Sequence, residues 1–184
     1  AEMGASPISE WKLILADLRK NGQGVIPLHM PKKTYQIHQN RDLFNSMIAA
    51  ATDVLGKDGF EIATVGTLGA FSQFFGSIAI KWAYEGFSGG ENDAWKSFFN
   101  LVSSHNSLVA SQTLLSVIRI VCMNTVQASI ADAEQAGTQS NIKHTQNSLS
   151  LVTSQQFATN LQTWLNAKNE FAAMLTALKA QAMS

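Results

Sequence analysis

The sequence predicts an all-α fold, an irregular bundle of five or six helices with an extended connection over residues 22–39. Three observations predict it. Apolar residues recur at helical spacing along most of the chain, and no segment alternates apolar and polar residues between hairpin turn signals. The C-terminal stretch also carries a heptad-like seam. The 184 residues suit a single domain, 1–184, able to bury one sizeable core, with 22–39 as an arm.

Each element follows from local signals. Ser6 and Pro7 read as an N-cap and first helical position, Ile8, Trp11, Leu15 and Leu18 line one face, and Asn21-Gly22 stops the helix. Residues 22–39 hold two of the three prolines and read as an extended segment that packs across the bundle or reaches a neighbouring subunit. A second helix opens at Asn40, buries Leu43, Phe44, Met47, Ile48, Ala51, Val54 and Leu55, and ends between Gly56 and Gly59. A third is expected over 61–84, a short fourth from Glu91 through Trp95, Phe98, Phe99 and Val102, and a long fifth from Ser107 to Gln135. After a polar loop at 136–148 the last helix spans about 150–183. Its seam is Phe157, Leu161, Trp164, Phe171, Leu175 and Leu178, broken by Lys168. That seam reads first as the core face of a bundle helix and second as an intermolecular coiled coil.

The stretch Ile62–Ile80 contains no charged residue and is about long enough to cross a bilayer as a helix. On a helical wheel its side chains sort by size. Leu68, Phe71, Phe75, Ile78 and Trp82 fall on one side, and Gly66, Gly69, Gln73, Gly76 and Ala83 on the other. A small-residue stripe lets another helix approach closely, so Gly66, Gly69 and Gly76 are candidate packing positions, together with Phe157, Leu161, Trp164, Phe171 and Leu175.

Composition bounds the function. Charged residues are 14% of the chain, where about 25% is usual, and Ser, Thr, Asn, Gln and Ala fill the deficit. Such a surface is at home inside an assembly, where each buried charge would need a partner. Net charge is zero, so no global field draws nucleic acid or an anionic membrane. If a repeating coat enclosed nucleic acid, Arg119, Arg41, Lys32 and Lys33 would be its first phosphate contacts. The lone Cys122 excludes an internal disulfide framework and, within the apolar run Val117–Met123, reads as a buried inert thiol. No signal peptide or myristoylation pattern is recognisable, and Ala1-Glu2 reads either as a mature terminus or as an added dipeptide before Met3.

Catalytic signals are missing. His29, His38, His105 and His144 are scattered through loops and helix starts without metal-ligand spacing, and Glu91/Asp93 and Asp132/Glu134 point to different sides of a helix. No P-loop, GxGxxG, GxSxG or HExxH is present. The expectation is therefore a non-enzymatic structural protein without cofactor or metal. It self-associates or packs into a larger complex in the style of a viral or phage coat or a secretion-apparatus component, with a virion or secreted setting favoured. A membrane-active helical protein inserting 61–84 is the alternative. A small-ligand carrier built around Trp82, Tyr84 and Trp95 ranks last, lacking a polar constellation for specificity.

Overall fold

The computed structural model describes residues 2–8, 10–69, 72–80, 97–142, 144, 155–167 and 169. They form a mixed α/β fold rather than a helical bundle. A three-stranded antiparallel sheet has the order β1 (Glu2–Ile8), β2 (Trp11–Asp17), β3 (Val25–His29). A five-stranded antiparallel sheet runs β4 (Phe60–Leu68), β5 (Gln73–Ile80), β6 (Ser97–Ser104), β7 (Gln112–Ser116), β8 (Gln139–Asn141). Helix α1 (Asn40–Leu55) and helix α2 (Met123–Ala136) flank that larger sheet, and a further helix, α3, covers 155–167.

The two helices take opposite faces. Leu43, Met47, Ala50 and Ala51 of α1 bury against Phe74, Ile78, Ile80, Phe99, Leu101 and Leu115, and Phe157 and Leu161 of α3 complete that cluster. Val126 and Ala133 of α2 meet Phe75, Val102, Leu114 and Ile120 on the other side. Every residue of β5 and β6 is therefore buried. A strand covered on both faces is apolar on both, and its sequence loses the period-two alternation that would announce it.

That is why the described part of the helix expected over 61–84 is instead a pair of antiparallel strands, with 81–84 outside the described residues. β4 and β5 pair from Phe60↔Ile80 to Leu68↔Gln73, with a register shift between Ile62 and Thr64. The membrane-inserting helix loses its premise, and no described helix is long and apolar enough to cross a membrane. The small residues do mark close packing, against aromatic rings rather than a helix backbone. A Cβ on Gly76 would lie 2.6 Å from the Phe44 ring, and one on Gly66 would lie 2.8 Å from Phe75. Gly69 serves the turn, with φ +56°.

Other elements depart similarly. The first predicted helix is the β1–β2 hairpin: Ile14, Ala16 and Leu18 are the buried positions of its second half, a spacing of two. The segment expected as a helix from Glu91 lies outside the described residues up to Lys96, and its remainder, with Phe98, Phe99 and Val102, is β6. The long helix from Ser107 is split into β7, an irregular turn and α2. Cys122, the N-cap of α2, is exposed rather than buried; its Sγ stands in for a capping oxygen, and the Thr125 hydroxyl caps in return. The 22–39 connection contains β3 and is bonded to its own chain, Lys33 N–H to Glu10 O and Gln36 N–H to His144 O. α1 and the Phe157–Leu161 part of the seam are helical as expected, with Trp164 half-buried against the core; Phe171 and Leu175 lie outside the described residues.

A polar pin ties α2 to the sheet. The Ser77 hydroxyl donates to Asn100 Oδ1 (2.5 Å), and Asn100 Nδ2 donates to Ile118 O (3.0 Å) and Ser129 Oγ (2.9 Å). All three side chains are fully buried. Asn100→Ala strands these groups away from water and should cost about 1–3 kcal/mol in urea denaturation, since an orphaned buried polar group carries its full desolvation penalty. Gly76→Ala should destabilise by about 1–3 kcal/mol through overpacking, and Phe44→Leu in the same chain should recover part of that loss, because the ring is what the new methyl meets.

Candidate functional site

The connection after β3, the β6–β7 turn, the start of α1 and the chain after β8 converge at the junction of the two sheets. Each brings a polar side chain, and together they assemble His38, His105 and His144, while His29 at the end of β3 joins the same β6–β7 turn through Ser107. The rings of Tyr35 and His144 stack at 4.6 Å and 14°. His38 stacks against His144, also at 4.6 Å, and His105 meets His144 edge-on at 6.3 Å. His38 and His105 are buried, at 2% and 1% exposure.

Hydrogen bonds set the proton on His144 and His105. The Gln36 carbonyl can only accept, so His144 Nδ1–H donates to it (3.0 Å), and Nε2 accepts from the Ser111 hydroxyl (2.8 Å). Ser111 Oγ in turn lies 3.2 Å from Ser103 Oγ. His105 Nε2 donates to Asn40 Oδ1 (3.1 Å), which leaves its Nδ1 a buried acceptor with no partner among the described residues. Asn40 thus spends its side chain on His105, while Gln39 occupies the N-cap position of α1. His29, at the end of β3, bonds Ser107 Oγ at 2.8 Å. Ser107 sits in the β6–β7 turn with φ +62°, a left-handed conformation that a serine adopts at some cost.

Burial dominates the electrostatics. It pushes His38 and His105 down to about 4, with nearby imidazoles adding to the effect. His144 is also lowered by burial, and its bond to the Gln36 carbonyl opposes this. Burial raises Tyr35 to about 12. The rings are therefore neutral near pH 7. Tyr35, His144 and His38 stack face to face and His105 meets His144 edge-on, and no set of three metal-ligating groups occurs among the described residues.

This chain belongs to the DUF932 family, a domain of unknown function. The match spans residues 27–184. Neither the curated proteins nor the solved structures compared with the chain include a match. The DUF932 region contains all four histidines, the larger sheet and its helices, and begins within β3, so β1 and β2 precede it.

The residues singled out by sequence are not gathered in one place. Arg119 is exposed in the β7–α2 connection on the α2 face, whereas Arg41 starts α1 on the opposite face. Lys32 and Lys33 lie beside β2, through the Trp11–Lys32 bridge and the Lys33–Glu10 bond. The packing glycines are in the β4–β5 hairpin, and Phe157, Leu161 and Trp164 are core contacts of α3. The histidine junction was missed because its members are 29, 38, 105 and 144 in sequence; their common restriction to non-helical segments was the one signal available.

The junction makes stability depend on pH with a definite sign. For His38 and His105 burial holds the folded-state value (about 4) below the ordinary imidazole value of 6.5, so the unfolded chain binds more protons between these limits. Their contribution is whole above about pH 6.5 and is lost as pH falls toward 4. Urea midpoints measured across that range should fall with falling pH, and His105→Gln should flatten the slope.

Proposed function

We propose that this protein is an assembly module that associates with a second copy of itself through the outer edge of β4. One observation carries this reading: among the described residues, β4 is the sheet edge with the fewest guards against pairing over most of its length. Edge strands are normally blunted by proline, charge or shortness so that they do not pair with other chains. β1 carries Pro7, β3 carries Pro27, and β8 has only three residues. β4 has nine residues with neither proline nor lysine, and Glu61 is its single charge. Ile62 and Val65 lie 58% and 49% exposed on it, both on the face that carries α1.

A second β4 is a suitable occupant. The register shift twists the strand between Ile62 and Thr64, and the run from Thr64 to Leu68 then pairs without interruption with β5. Antiparallel pairing of two such runs about Gly66 places Val65 opposite Thr67 and keeps both Glu61 side chains outside the contact. Such an isologous contact closes as a two-fold dimer. The low charge of the chain agrees with it, since like charges do not oppose the approach. The support is a strand edge rather than a likeness to helical coat proteins, whose basis the mixed α/β fold removes.

Light scattering coupled to size-exclusion chromatography tests the proposal. The wild-type chain should be dimeric, or shift from monomer to dimer with concentration. Val65→Lys should weaken self-association at least about tenfold by placing a charge in the contact, while Gln127→Lys on the exposed side of α2 leaves it unchanged. A wild-type monomer at all concentrations sinks the idea.

A further inference from the structure

The histidine junction has a chemistry that the self-association reading does not use. We propose that it is a proton-operated latch: protonation of His38, His105 and His144 undocks the 30–38 connection, and with it the three-stranded sheet, from the five-stranded sheet, which stays folded.

Geometry supports this in three ways. The first is location. Residues 31–38 are bonded on one side to β2, through Lys12 N–H to Pro31 O, Lys33 N–H to Glu10 O and Lys12 Nζ to Tyr35 O. On the other side they meet the larger sheet through Gln36 N–H to His144 O, His144 Nδ1–H to Gln36 O and the Tyr35–His144–His38 stack. His29–Ser107 is a further strut between β3 and the β6–β7 turn. The His144, His38 and His29 rings are thus among the contacts that hold the connection and β3 to the larger sheet.

The second is the lack of compensation for charge. Around the stack the groups are Tyr35 and His38 from the connection, Lys12 from β2, and His29 from β3. Asn40 comes from the start of α1, His105 and Ser111 from the β6–β7 turn, and His144 from beyond β8. The partners described for His29, His105 and His144 are hydroxyls, an amide oxygen and a carbonyl, none of them a carboxylate. Asp42 and Arg41, next along α1, are exposed and 3.8 Å from each other. A proton on His105 Nδ1 would be a buried donor with no acceptor described for it, beside the positive end of α1 and two further imidazoles. Adjacent rings at 4.6 Å cannot all be charged without mutual repulsion, so undocking into water relieves several penalties together.

The third is selectivity. The other buried polar side chains among the described residues are Ser, Thr, Asn and Gln, which do not titrate. Acid therefore acts on the junction and leaves the β5–β6 core untouched, the arrangement a local switch requires.

Hydrogen exchange read by mass spectrometry on the full chain tests the latch, with intrinsic rates corrected between about pH 7.5 and about pH 4.5. Residues 31–38 should exchange at least about tenfold faster below the transition, while β5 and β6 keep their protection. Loss of protection in both regions together, or in neither, overturns the proposal. His105→Phe keeps a ring but takes no proton, and should move the midpoint to lower pH; an unmoved midpoint counts against the latch. Should that variant fail to fold, NMR titration of the wild-type imidazoles decides. Ring protonation at the midpoint of the exchange change supports the latch, and protonation with no change in exchange overturns it.

Discussion

Two-sided burial of β5 and β6 is the constraint on which the rest of the structure depends. Both strands are covered by α1 and α3 on one face and by α2 on the other. Every neighbouring choice follows from that. Gly76 has no side chain because the Phe44 ring occupies its place, and Phe44 in turn meets Phe74 edge-on at 6.1 Å. Ser77 and Asn100, polar residues at the heart of these strands, are joined to one another and to Ser129 of α2, so that this pin between sheet and helix is satisfied.

The same demand for satisfaction shapes the sheet junction. With few charges in the chain, the hydrogen bonds described around the histidines join hydroxyls, amides, carbonyls and neutral imidazoles. Neutral partners can be buried at modest cost, whereas ion pairs there would have to offset the desolvation of both members. Imidazole is the one such group whose neutrality depends on pH in an accessible range. A quiet interior and a pH-sensitive seam thus arise from one compositional habit. The β4 edge is a separate matter, since it is a surface of the larger sheet and involves none of the histidines.

Legibility from sequence varied with the number of faces each element buries. α1 was readable to within a residue because it buries one stripe, Leu43, Met47, Ala50 and Ala51, and shows water the rest. Phe157 and Leu161 were readable for the same reason. β2 was missed because Trp11, Leu15 and Leu18 happen to satisfy helical spacing, while the buried set is Ile14, Ala16 and Leu18. The 107–135 stretch was read as one helix because apolar residues fill it nearly all round. Its first part is a strand with every residue buried, and only Met123–Ala136 is helical. The glycines were recognised as sites of close approach, but what approaches them is a ring across a sheet.

By itself the sequence determined α1 with its buried stripe, the inward Phe157 and Leu161, and the glycines as places of close approach: one-sided hydrophobicity and glycine are local properties. Helix or strand at 62–80, and the meeting of His29, His38, His105 and His144, were decided only by tertiary structure. A stretch apolar on every side fits a buried helix and a central strand equally well, and pairing with β6 selects the strand. Histidines separated by tens of residues become neighbours only when two sheets are docked, which no local pattern encodes.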